Sequence, residues 1–110
     1  MKAPTKLEAA IEMSTTWDAV GLTFVATRRG SICSLSITTG STSRTIASSG
    51  SEVITTIPEG YRPAARLITQ DNGIGSADKI PIAINASGEI QVQKKVASGQ
   101  YLRIYVMYYV

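Results

Sequence analysis

Histidine is absent from these 110 residues, cysteine occurs once, at Cys33, and aromatic residues make up only 6% of the chain. Without histidine, the side chain that most often serves as general base near neutral pH is missing, as is the commonest nitrogen ligand for metals. A single cysteine can neither close an intrachain disulfide nor assemble a thiolate metal cage, which excludes a secreted disulfide scaffold. Charged residues are also sparse, at 17% with a net charge of +3. The basic residues are scattered except for Arg28-Arg29 and Lys94-Lys95, read as solvated hairpin ends. The concentrated footprint of a nucleic-acid binder is therefore missing, and no nucleic-acid partner is expected. No apolar run approaches the roughly 20 residues that cross a bilayer, so no membrane insertion is expected. Met1-Lys2-Ala3-Pro4 lacks a signal-peptide core, and synthesis in a cytosol is expected.

What is present is a 44% hydrophobic content set in neutral Ser, Thr, Gly and Gln, a balance that suits β-sheet surfaces and a single domain. Thr5-Lys6-Leu7-Glu8 has the spacing of a capping box and predicts a short helix with Leu7, Ala10 and Ile11 on one face. Two or three turns are not stable alone in water, so this helix must pack, either as a cap on its own domain or as the end of a three-helix stalk. Residues 1–16 are expected to be this helix and a linker, and residues 17–110 the β domain, opened by Trp17.

Leu22–Thr27 and Ser31–Thr38 read as strands joined by a hairpin at Arg28-Arg29-Gly30. Cys33, Leu35 and Ile37 share one face and Ser34, Ser36 and Thr38 the other, so Cys33 is expected to be core packing. The Ser/Thr-rich stretch from Gly40 to Gly50 allows a short edge strand with Arg44 facing water. Glu52–Ile57 runs as a strand into Ile57-Pro58-Glu59-Gly60-Tyr61-Arg62-Pro63, the rigid turn near the midpoint of the chain. Pro58 and Pro63 fix φ and remove two backbone donors, Gly60 permits a conformation that a Cβ resists, and the proline is expected at the second turn position. On this arch Tyr61 is expected to plug one end of the fold and Arg62 to pair with an acid.

Ala64–Thr69 reads as the next strand and Gln70–Asp78 as the longest unpatterned loop, the kind of segment that carries function more often than the strands beneath it. Ile80, Ile82 and Ile84 then alternate in a strand whose Pro81 suggests an edge or a bulge. Asn85-Ala86-Ser87-Gly88 turns the chain into Glu89–Lys94, with Ile90 and Val92 inward. The last strand, from Gln100 to Val110, is apolar on both faces. Leu102, Ile104, Val106, Tyr108 and Val110 form one row; Tyr101, Tyr105, Met107 and Tyr109 form the other, interrupted by Arg103. Either something in the domain covers the second row or it is a subunit contact. The second is favoured for Tyr105, Met107 and Tyr109, because Tyr and Met are enriched at interfaces and a domain this small has few elements left to cover them. These short strands with turn residues between them predict an all-β fold, an antiparallel β-sandwich or jelly roll with a short N-terminal helix.

Catalytic patterns are not found: no nucleophile elbow is present and no spacing pairs two carboxylates. Gly73-Ile74-Gly75 is a fragment of a nucleotide fingerprint placed between strands, and Asp71, Asn72 and Asp78 miss the EF-hand spacing. No catalytic residue, metal or cofactor is expected.

The turn Ile57–Pro63, with Trp17-Asp18-Ala19-Val20, the run Ile82–Val92 and the closing Tyr101-Leu102-Arg103-Ile104-Tyr105, resembles the C-terminal receptor-binding or baseplate domains of tailed bacteriophages, especially those infecting Gram-positive bacteria. In that family a Leu/Ile-Pro-acid-Gly-Tyr-Arg-Pro turn is followed by a strand, a glycine turn and a final aromatic strand. The resemblance implies a noncatalytic homotrimeric unit of a virion tail tip that binds host cell-wall saccharide, with other tail or baseplate proteins as partners. The runner-up reading is a structural baseplate or tail component that binds other virion proteins and no saccharide. The Pro58, Gly60, Tyr61, Arg62 and Pro63 turn marks the fold more than a ligand. A saccharide site needs an aromatic platform and planar polar groups. Trp17 is the expected platform, with Asp71, Asn72 and Asp78 as the polar contacts.

Overall fold

The computed structural model describes residues 12–71 and 79–110. Period-two alternation organises the strands. In β2 (Leu22–Arg29), Leu22, Phe24 and Ala26 are fully buried and the residues between them are not; in β3 (Ile32–Thr39), Cys33, Leu35 and Ile37 are buried. Side chains on a strand point alternately to opposite faces, so this pattern commits one face of each strand to the core. β1 (Glu12–Ala19), β2, β3 and β8 (Tyr105–Tyr109) form one antiparallel sheet in the order β1-β2-β3-β8. The second antiparallel sheet has the order β4-β7-β6-β5, from β4 (Glu52–Thr56), β5 (Leu67–Gln70), β6 (Pro81–Ile84) and β7 (Glu89–Val92). Both sheets feed one apolar cluster: Phe24, Leu35 and Ile104 from the side of the first sheet meet Ile54, Ile82, Ile84, Ile90 and Val92 of the second. The described residues are all-β, with two antiparallel sheets and no helix.

Several local expectations are corrected. The N-terminal helix expected over residues 5–11 lies outside the described residues. Residues 12–16, expected to be linker, are the first part of β1, so Trp17 sits inside the first strand instead of opening it. β1 has the full-length pairing that holds this segment extended, from Glu12↔Arg29 to Ala19↔Leu22. The Gly40–Gly50 stretch is not a strand. It is held by isolated bridges Ser41↔Tyr101 and Ile46↔Val96, and Ile46 and Ala47 are buried there. β5 begins only at Leu67, and Pro81 stands in an inner strand of the sheet. A proline fits there because it is the first strand residue and its carbonyl alone is used, accepting from Gln93 N–H at 3.0 Å.

The central turn spans Pro58 to Tyr61, one residue later than expected, with Tyr61 N–H donating to Pro58 O at 3.2 Å and Gly60 at φ +93°. Proline thus takes the first turn position and Gly60 the third, where a type II turn needs positive φ. Among the described residues Arg62 pairs with no acid. Its Nε donates to Ile57 O at 2.7 Å and its side chain packs over Gly88. Ile57 N–H in turn donates to Gly88 O at 2.8 Å, and Arg28 Nη1 donates to Gly60 O at 2.7 Å, so the arch is bonded to the second sheet's hairpin and to the first sheet. Tyr61 is half-buried against the core, and its carbonyl accepts from the Tyr108 hydroxyl of β8.

Candidate functional site on the outer face of β8

Because Leu102, Ile104 and Tyr108 turn into the core, alternation drives the other row outward. Tyr101, Tyr105, Met107 and Tyr109 are 56%, 62%, 58% and 69% exposed. The strand order adds a second condition: β8 is the terminal strand of its sheet, paired to β3 on one side only. Ala64 N–H donates to Tyr109 O at 2.8 Å, but among the described residues no strand pairs with this edge. An apolar row on an edge strand is a surface that a soluble monomer avoids.

The register extends the row into a face. Ile32 lies opposite Tyr109, Ser34 opposite Met107 and Ser36 opposite Tyr105. Ile32 is 42% exposed and completes the patch that the sequence alone placed only in β8. The signal was there: Ile32 is the one apolar residue in the outward row otherwise made of Ser34 and Ser36. A shallow depression of about 160 Å³ crosses the sheet from Glu12 and Arg29, past Ile32 and Ser34, to Tyr105 and Met107. A second, of about 200 Å³, continues it between Ile32, Met107 and Tyr109. At its β1 end Arg29 Nη2 lies 3.4 Å from Glu12 Oε2, an exposed ion pair of little energetic weight. Farther along the outer row the Arg103 guanidinium lies over the Tyr101 ring, 5.8 Å from its centroid.

Two of the residues expected to bind saccharide, Trp17 and Asp71, are placed apart. Trp17 is half-buried, its ring stacked on Phe24 at 5.4 Å between centroids, and its Nε1 donates to Thr55 Oγ1 at 2.9 Å. It thereby pins β1 to β4. Asp71 is 3% exposed; its carboxylate accepts from Ile80 N–H at 2.7 Å, and its own N–H donates to Ile80 O at 3.0 Å. This reciprocal pair joins the residue after β5 to the residue before β6. Trp17 reaches β4 while Asp71 follows β5, opposite edges of the second sheet, about 14 Å apart by strand spacing. Asn72 and Asp78 lie outside the described residues.

Cys33 is fully buried, and burial pushes its thiol up, so it packs as a small apolar side chain. Its sulfur sits 3.6 Å from both the Tyr61 carbonyl and the Tyr108 hydroxyl. Burial likewise pushes the Tyr108 phenol up, which keeps it a neutral donor to the central turn. Among the described residues no group of three or more Cys, Asp or Glu side chains is placed to hold a metal ion. No family model matches the chain, and a search of curated proteins finds no significant relative.

Proposed function

We propose that this protein is a noncatalytic, homotrimeric β-sandwich module of a bacteriophage tail tip or baseplate that adheres to host cell-wall saccharide. The observation that carries the reading is the outer row of β8. Tyr105, Met107 and Tyr109, joined by Ile32, form an exposed apolar face at an edge strand, and association of copies is the way to cover it. Two sheets around one core, tied together by the Ile57–Pro63 arch, are compatible with the sandwich implied by the resemblance. In this reading the protein acts on the virion after synthesis in the host cytoplasm, and its partners are itself, the saccharide and neighbouring tail proteins.

A structural tail component that binds no sugar is the second reading, and a specific observation favours it. Trp17 and Asp71, the expected sugar contacts, are spent on internal contacts, which leaves a surface suited to protein contact. Adsorption to host cells and a glycan array, both with the purified full-length chain, separate the two. Saturable binding to one saccharide class is expected. A trimer that binds neither cells nor glycans would replace the adhesin by the structural component.

A further inference from the structure

We infer that Arg103, with the Tyr101 ring beside it, forms a subsite for an anionic saccharide: the guanidinium takes a carboxylate or phosphate group, and the ring takes the apolar side of the sugar. The inference rests on the adhesin reading above and supplies the sugar contact that Trp17 and Asp71, spent inside the fold, do not. Alternation places both groups outside. Leu102 and Ile104 are buried, so Tyr101 and Arg103 turn away from the core; Tyr101 is 56% exposed and Arg103 partly exposed. The backbone that carries them is held on both sides. Tyr101 bridges Ser41, and Ile37 N–H donates to Ile104 O at 3.1 Å. The guanidinium is in turn oriented by its place over the Tyr101 ring.

What Arg103 lacks is an acceptor. Arg28, Arg29, Arg44, Arg62 and Arg66 each donate to a carbonyl, carboxylate or amide oxygen of the protein. Among the described residues Arg103 alone of the arginines donates to none: no acid pairs with it, and its Nε is buried without a hydrogen-bond partner. Buried donors in folded proteins are nearly always satisfied, so an arginine left in this state points to an acceptor that comes from outside the chain. The acids on the same face of the sheet, Glu12 and Asp18, stand on β1, three strand spacings or about 14 Å from β8. Glu12 is taken by Arg29, and Asp18 accepts from the Thr23 hydroxyl at 3.0 Å. An approaching anion therefore meets a cation that no nearby carboxylate of that face neutralises. The planar fork of a guanidinium matches the paired oxygens of a carboxylate or phosphate, and an exposed tyrosine ring suits the apolar side of a sugar. The apolar contact of Tyr105, Met107 and Tyr109 leaves this subsite open, because Tyr101 precedes Tyr105 by four residues, about 13 Å by strand rise.

The test uses the full-length chain on an array printed with neutral, uronate-bearing and phosphorylated saccharides. The wild type is expected to bind one anionic class at least about tenfold more tightly than the neutral saccharides, and the class bound identifies the charge as carboxylate or phosphate. Arg103→Gln removes the charge and is expected to lose that preference, about tenfold or more, while light scattering and circular dichroism match the wild type. Binding of neutral saccharides that is equal in wild type and Arg103→Gln, with no anionic preference, overturns the subsite but leaves the adhesin standing. So does an anionic preference that Arg103→Gln keeps. A chain that binds neither glycans nor host cells overturns both. If Arg103→Gln does not fold, the wild-type array and Tyr101→Ala decide. Equal binding of neutral and anionic saccharides by the wild type, or unchanged binding in Tyr101→Ala, counts against the subsite.

Discussion

Gly60 and Gly88 hold φ values of +93° and +91°, but the surroundings make them unequal. A Cβ on Gly60 would meet nothing within 4 Å, so substitution there costs only backbone strain. Gly60→Val is expected to destabilise the domain by about 1–2 kcal/mol, read from the shift of the urea midpoint. Unchanged stability would show that the arch is slack. At Gly88 a Cβ would come within 2.7 Å of Arg62 Nε, so Gly88→Ala adds crowding to strain. Removing the Arg62 side chain in that background should recover the crowding part, with a coupling above about 0.5 kcal/mol in a double-mutant cycle. The need for glycine at position 60 is legible between two prolines. The Arg62 contact with Gly88 is not, because it joins residues that only the folded chain brings together.

Among the elements, the Gly40–Gly50 stretch shows how a segment without a strand is held. The Glu52 carboxylate at the start of β4 pairs with the Arg44 guanidinium and accepts from Ala47 N–H at 2.9 Å. The hydrogen bond from Arg44, followed by that from Ala47, holds the Glu52 carboxyl below its ordinary value of 4.5. A carboxyl depressed in the folded state stabilises fully above its unfolded pKa and loses that stabilisation as pH falls through the folded one. Melting temperature should therefore fall from about pH 5 toward about pH 3 more steeply in the wild type than in Glu52→Gln. Equal slopes would mean that the pair does not hold the loop in solution. The alternation of β2, β3 and β7 was readable at this scale. The loop was not, since its Ser and Thr suit a strand edge as well as a bridge-held turn.

For the whole molecule, the exposed row of β8 predicts association. Met107→Arg puts a charge at its centre, where Met107 is 58% exposed and lies outside the buried cluster, so the fold should persist while the assembly weakens. Light scattering at micromolar concentration is expected to report a trimer for the wild type and smaller species for the variant. A variant that remains a full trimer would place the contact elsewhere.

By itself the sequence determined the alternation of β2, β3 and β7, the two rows of the last strand and the stiffness of the central turn. These depend on period-two alternation and on proline and glycine dihedrals, both short-range properties of the chain. Only the tertiary structure decided what lies beside them. It put β8 next to β3 at the end of its sheet, which turned a two-sided apolar strand into a patch with Ile32. It also committed Trp17 to Thr55, 38 residues away, and buried Asp71 against Ile80 instead of leaving it on the surface. Such contacts are chosen by how the two sheets close over a shared core, and no local pattern encodes that choice.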